Sequence, residues 1–182
     1  MKRQMEEKQL IEECKRGDSK AWKTLYELQA ATMMSVCQRY VCNRETARDL
    51  LQDGFVKLFT KIHTYSGKGS FKGWIRKVFV TTALEHLRHK NILRYSMDIE
   101  KFDYQMENID VSIFENLSAD DLTICISNLP AGYRTVFNMH AIDGFSHEDI
   151  AKELKISTGT SRSQYFKARQ MLKKMVTEKD NE

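Results

Sequence analysis

Apolar residues recur along this chain every three or four positions, in blocks separated by short polar or glycine-containing breaks, the period of helices rather than strands. Leu10, Ile11 and Cys14 mark a short first helix that Gly17 stops, and Asp18 suits the N-cap of the next. That second helix is expected to turn Trp22, Leu25, Tyr26, Met33, Val36, Cys37 and Tyr40 inward. Asn43 caps a third, whose stripe is Ala47, Leu50, Leu51, Phe55, Leu58, Phe59 and Ile62, with Asp49, Gln52, Asp53 and Lys57 on the opposite side. Gly54 sits inside this helix at a cost of roughly 1 kcal/mol relative to Ala, and the sequence offers no reason for it. After a glycine-rich, basic and flexible loop over 65–70, Trp74, Ile75, Val78, Ala83 and Leu87 predict a helix over 71–90.

The period is lost over 91–117, where the chain turns acidic and reads as a linker. A coil of that length has an r.m.s. span of roughly 30 Å and a ceiling near ~90 Å. Periodicity resumes at Ser118, which with Asp121 has capping-box spacing ahead of Leu122, Cys125 and Ile126. Asn128-Leu129-Pro130 breaks that helix, and Pro130 suits the first turn of the next. Tyr133, Val136, Phe137, His140 and Ala141 line the new helix until Asp143-Gly144 ends it.

The stretch 145–176 carries chemistry of its own. Ser146 and Asp149 form a second capping-box pair, and Ile150, the small Ala151 and Leu154 share a face. Ile156 ends this helix. Ser157-Thr158-Gly159 turns the chain, with Ser157 as a cap, into a last helix from about Thr160, with Tyr165, Ala168, Leu172 and Met175 facing a core. Its other side is basic: Arg162, Lys167, Arg169, Lys173 and Lys174, with Ser163, Gln164 and Phe166 between them. Such a face suits phosphates and base edges in a major groove, so the pair reads as a helix-turn-helix. The bland alternative is a solvated face on an ordinary helical hairpin.

The chain is therefore expected to be all-α: an N-terminal helical bundle over 1–90, an acidic linker over 91–117, and a helix-turn-helix domain over 118–182. Composition agrees, with one Pro and eight Gly in 182 residues. The net charge of +4 is modest, but its distribution is uneven. Between positions 68 and 90 there are six Lys or Arg against one Glu, between 162 and 174 five against none, and between 96 and 121 eight acids against Lys101. Two basic blocks around an acidic one suggest two polyanion contacts and a segment that avoids them. In the first block, Phe71 and Trp74 stand with Lys72, Arg76, Lys77 and Arg88 beside the loop. They are core aromatics in the plain reading; in the sharper one they hold unpaired bases by stacking and phosphate attraction, or receive a flipped base.

Cys14, Cys37, Cys42 and Cys125 lack CxxC spacing and read as buried reduced thiols of a cytoplasmic protein. The histidines, His63, His86, His89, His140 and His147, show no metal-ligand pattern, and no metal or cofactor is expected. The charged N-terminal stretch, with no apolar core after it, predicts no signal peptide, and no apolar run approaches the ~20 residues of a membrane span.

The order of these parts resembles, over nearly the whole chain, bacterial sigma factors of the extracytoplasmic-function group. Asp49-Leu50-Leu51-Gln52-Asp53-Gly54-Phe55-Val56-Lys57-Leu58-Phe59 looks like the family helix that docks on the clamp helices of the largest RNA polymerase subunit. Phe71, Trp74, Ile75, Val78 and Leu87-Arg88 stand in the pattern of the helix that melts and reads the promoter's minus-ten element. Leu129-Pro130 and Gly159-Thr160-Ser161-Arg162-Ser163 resemble the fourth region, which reads the minus-thirty-five element and touches the flap of the second-largest subunit. The resemblance implies that Asp49, Gln52, Asp53 and Lys57 hold polymerase. Lys68, Ser70, Lys72, Trp74, Arg76, Lys77, Thr81 and Arg88 would then serve the melted element, with a base captured near 68–70. Thr160, Arg162, Ser163, Gln164, Phe166, Lys167 and Arg169 would face the upstream duplex. It further implies an acidic linker that follows the polymerase RNA path, and an anti-sigma partner anchored in a membrane. Gly54, Thr81, Glu85, Ser161 and Gln164 depart from the family pattern, standing for an aliphatic residue, Asn, Asp, an aliphatic residue and Arg. Thr81 and Gln164 bear on promoter choice. Gly54 and Ser161 bear on packing and are expected to weaken stability.

Two other functions fit parts of the sequence. A stand-alone helix-turn-helix regulator would bind operator DNA without polymerase, at half-sites about one turn apart. An enzyme acting on nucleic acid would have to use Glu85, His86 and His89, which supply neither a nucleophile-base pair nor a metal set.

Overall fold

The computed structural model describes residues 2–90 and 119–179. The acidic linker and the Ser118 cap lie outside the described residues. Every element among those described is helical. They are α1 (Lys2–Lys15), α2 (Ser19–Val41), α3 (Arg44–Lys61), a 3-10 turn (Ile62–Thr64), α4 (Phe71–His89), α5 (Ala119–Ser127), α6 (Ala131–Phe137), a π turn (Asn138–Ile142), α7 (His147–Leu154) and α8 (Thr158–Lys179). The chain divides into two compact units, 1–86 and 87–182.

In the first unit the caps follow local chemistry. Asp18 accepts from the backbone N–H groups of Lys20 and Ala21, and Asn43 from that of Thr46, so each satisfies donors that a helix start would leave orphaned. α2 packs along α3, burying Leu25, Val36, Cys37 and Tyr40 against Ala47, Leu50, Phe55 and Leu58. Ile75, Phe79, Ala83 and Leu84 of α4 are buried in the same unit. Aromatic contacts run from Trp22 on Phe59 to Phe55 on Phe59 and edge-on to Phe79. Tyr26, expected inward, is instead 45 % exposed, its ring tilted over Phe55. It lies at the rim of the stripe, where an amphipathic ring keeps its hydroxyl in water.

Gly54 now has its reason. A Cβ there would lie 2.3 Å from Cε1 of the fully buried Phe79 ring. The expectation that Gly54 weakens the fold is thus overturned, because the missing side chain is what admits the aromatic ring.

In the second unit Cys125, Ile126, Leu129, Tyr133 and Phe137 close on Ala168, Leu172 and Val176. Val176 takes the buried position that the sequence suggested for Met175, which is half-buried. Pro130 is the cap residue before α6, and α6 runs on through the π turn to Asp143-Gly144, where Gly144 adopts φ 75°. Burial raises the thiols of Cys14 to about 11 and Cys37 to about 12. Cys42 departs from the expected pattern: it is exposed, in the left-handed cap that ends α2.

Candidate nucleic-acid and polymerase interfaces

On α3, Asp49, Gln52 and Asp53 are all exposed, and Val56, one turn beyond, is 65 % exposed among them. Positions 49, 52, 53 and 56 form one helical row, so the acidic and amide groups lead into an apolar side chain that their own unit leaves uncovered. Lys57 departs from this face. It is half-buried, and its ammonium pairs with the Glu85 carboxylate of α4. The i+4 step from Asp53 carries Lys57 round the helix toward α4, where an opposite charge holds it.

That ion pair closes one side of a cleft of about 170 Å³ lined by Lys57, Lys61, Thr64, Trp74, Lys77, Val78, Thr81, Thr82 and Glu85. Trp74 is half-buried, stacked on Phe71 at 6.0 Å and 9°, with Tyr65 at 5.5 Å. Its indole is thus a packed ring, as the plain reading expected, and also a wall of the cleft. Lys77 is exposed at the rim, and the Thr81 hydroxyl donates to the Lys77 carbonyl at 2.6 Å. The loop is more ordered in its chemistry than its glycines suggest. Tyr65 is buried and its hydroxyl donates to the Gly69 carbonyl at 2.9 Å, while Gly67 and Gly69 take positive φ. Ser70 caps α4 by accepting from the Gly73 N–H. Lys68 and Lys72 are exposed, Arg76 and Arg88 half-buried. Tyr65, Lys61 and Thr64 had no site role in the sequence reading. An aromatic residue just before two glycines was the available signal for Tyr65.

In the second unit, Ser146 caps α7 by accepting from the Asp149 N–H, and its hydroxyl donates to the Asp149 carboxylate. α7 ends at Leu154, with Lys155 in a left-handed cap. Ser157 caps α8 by accepting from the Thr160 N–H, and the Ser157 and Thr160 hydroxyls lie 2.9 Å apart. α7 lies against α8 in a helix-turn-helix arrangement. Arg162 is exposed, Thr160, Ser163, Phe166, Lys167 and Arg169 are half-buried, and the Arg169 guanidinium sits 5.8 Å from the Tyr165 ring centre.

Gln164 is corrected. Placed by the sequence among the groove-facing residues, it is only 5 % exposed, and its buried Oε1 has no hydrogen-bond partner. Positions 161, 164, 168 and 172 share one face, and Ser161, Ala168 and Leu172 are fully buried with it. Ser161 is kept there by a partner: its hydroxyl lies 2.9 Å from Nδ1 of His147. His147 stacks on His140 at 4.1 Å, and Tyr165 meets both rings near edge-on. Desolvation, then the neighbouring His140 and Arg162, push the His147 imidazole below its ordinary value, against a smaller upward pull from Glu148. The Glu148 carboxyl is itself held below the ordinary range, first by its own backbone N–H and further by Ser146 and Arg162. Arg162 Nη2 lies 3.7 Å from Glu148 Oε1.

Among the described residues no group of three or more His, Cys, Asp or Glu could hold a metal, and no helix is long and apolar enough to cross a membrane.

Residues 25–92 match the family model of Sigma-70 region 2, and residues 120–172 that of Sigma-70, region 4. The chain is similar to the ECF RNA polymerase sigma-E factor of Haemophilus influenzae, at 29% identity over 97% of this chain and 98% of that protein. It is also similar to the RNA polymerase sigma-H factor of Pseudomonas aeruginosa, at 26% identity over 95% of each. Two solved structures share the fold. The sigma factor RpoE of Bartonella quintana, in complex with the anti-sigma factor NepR, has a TM-score of 0.55 at 19% identity, over 87% of this chain and 98% of that one. CnrH, in complex with the cytosolic domain of CnrY, has a TM-score of 0.53 at 16% identity, over 92% and 95%.

Proposed function

We propose a division of labour for this chain, which belongs to the extracytoplasmic-function group of the sigma-70 family and serves as an RNA polymerase sigma factor. Region 2 carries two contacts. The exposed row Asp49, Gln52 and Asp53, with Val56 at its end, receives the clamp helices of the largest polymerase subunit, acid groups meeting basic ones beside an apolar contact. The cleft walled by Trp74, with Lys68, Lys72, Arg76, Lys77, Thr81 and Arg88 about it, takes the melted minus-ten strand by stacking and phosphate attraction. Region 4 lays α8 in the major groove of the minus-thirty-five element, with Arg162, Ser163, Phe166 and Lys167 toward the bases and phosphates, and touches the polymerase flap.

The protein performs no covalent chemistry in this reading. It holds two promoter elements in one register while polymerase does the synthesis, and it works in the cytoplasm. The observation that carries the reading is the presence of both regions on one chain, in promoter-reading order. The complexes formed by RpoE and CnrH support a further partner, an anti-sigma factor, which we take to be anchored in a membrane and to cover these surfaces until a signal releases them.

Reconstitution tests the proposal. Core polymerase with this chain is expected to initiate at its promoters, and the free chain to bind them weakly. Strong operator binding by the chain alone, without initiation, would replace this reading by the stand-alone regulator.

A further inference from the structure

The two helices of the helix-turn-helix are tied by two neighbouring pairs. His147 and Glu148 are consecutive on α7, and Ser161 and Arg162 are consecutive on α8. The inner pair, His147 Nδ1 and Ser161 Oγ, spans 2.9 Å with Ser161 fully buried, and it fixes the rotation of α8 against α7. The outer pair, Glu148 Oε1 and Arg162 Nη2, spans 3.7 Å in solvent, and it draws the guanidinium toward the start of α7.

Two physical consequences follow from the outer pair. An unrestrained arginine samples many rotamers and loses that freedom on binding, whereas a guanidinium drawn to a neighbouring carboxylate is already gathered to one side. With α8 in the groove as proposed, the exposed carboxylate beside Arg162 would stand near the DNA. It repels phosphates, and so weakens the pull of Arg162 toward the backbone relative to its attraction to a base edge. The carboxylate stands in the first turn of α7, where a helix N-terminus favours negative charge.

We infer that Glu148 is a positioning residue for promoter recognition: it holds Arg162 for one base-pair step of the upstream element and keeps it off the phosphates. The inference rests on the reading of Arg162 as a base contact, so the experiment tests the two separately.

Full-length wild type, Glu148→Gln, Glu148→Asp and Arg162→Ala are each assembled with core polymerase. Open-complex formation and competition binding are measured at several salt concentrations, on promoters whose upstream base pairs are replaced one at a time. Loss of the carboxylate in Glu148→Gln is expected to cut discrimination about fivefold at one or two adjacent base pairs, a part of what a good bidentate contact supplies. Other positions keep their preference, and average binding does not fall. The slope of log affinity against log salt steepens toward one further phosphate contact, by about 0.9. Glu148→Asp, which keeps the charge, restores most of the discrimination. If Arg162→Ala relaxes base choice but Glu148→Gln discriminates as wild type does, Glu148 is not a positioning residue. A uniform loss over all promoters with a lowered Tm would make Glu148 merely structural and overturn the inference as well. If Arg162→Ala leaves base choice intact, the reading of Arg162 fails and the inference falls with it.

Discussion

Gly54 of α3 and Phe79 of α4 share one volume: a β-carbon on the first would sit 2.3 Å from Cε1 of the second. The ring cannot swing aside, because it is fully buried and packs edge-on against Phe55 at 5.1 Å.

Gly54→Ala should therefore destabilise the first unit, although on an exposed helix the same change would gain roughly 1 kcal/mol. Overpacking typically costs about 1 to 3 kcal/mol, and the net sign is expected to be a loss of Tm. Combining it with Phe79→Leu should show coupling, the double variant being more stable than the sum of the single effects. Thermal denaturation of the four proteins checks this; strict additivity would mean that the two positions do not compete for space.

Replacing Asp49 and Asp53 by Lys should abolish capture of core polymerase while leaving helicity and Tm close to wild type. Both side chains are exposed, and changes at such positions usually fall within about 0.5 kcal/mol. Co-purification with core subunits is the measurement. Unchanged capture would remove the polymerase role from this face.

Gln164→Leu should leave promoter choice unaltered and should stabilise the second unit or leave it neutral. A buried amide oxygen without a partner costs about 1 to 3 kcal/mol, and an apolar group of similar size removes that cost. A change in base preference at any upstream position would return Gln164 to the DNA-reading set.

The stability of the second unit should fall on acidification. His147 has its folded-state pKa lowered from 6.5, by desolvation first and then by His140 and Arg162. The folded state therefore favours the neutral ring. The contribution is fully present above 6.5 and is lost as pH falls from there toward the lowered folded value. Charging the ring would set it against the stacked His140 at 4.1 Å and against Arg162, with Glu148 offering partial relief. Denaturation midpoints followed from pH 7.5 to 5.5 should drop further for wild type than for His147→Gln. Parallel curves would show that another group sets the acid limit.

Much of the architecture is already present in the one-dimensional pattern. Asp18, Asn43, Ser146 and Ser157 cap the helices they precede, because a cap is a bond to a backbone N–H two or three residues away and needs nothing from the rest of the chain. The same holds for the apolar stripes of α2, α3 and α8, whose period fixes which residues share a face. The same period also puts Gln164 on the row of Ser161, Ala168 and Leu172, but its amide assigns it, on sequence alone, to the basic, groove-facing side instead.

By itself, then, the sequence determined the helices, their caps, the all-α class, the order of the parts and the family they resemble. Only the tertiary structure decided where one helix meets the next: Gly54 as the seat of Phe79, Lys57 drawn from the acidic row to Glu85, Tyr65 closing its loop on Gly69, and His147 holding Ser161 beside the Glu148–Arg162 pair. These contacts join residues on different elements, and their geometry depends on how far each helix is rotated and how closely two axes approach. Periodicity carries neither quantity, since packing of whole faces sets both.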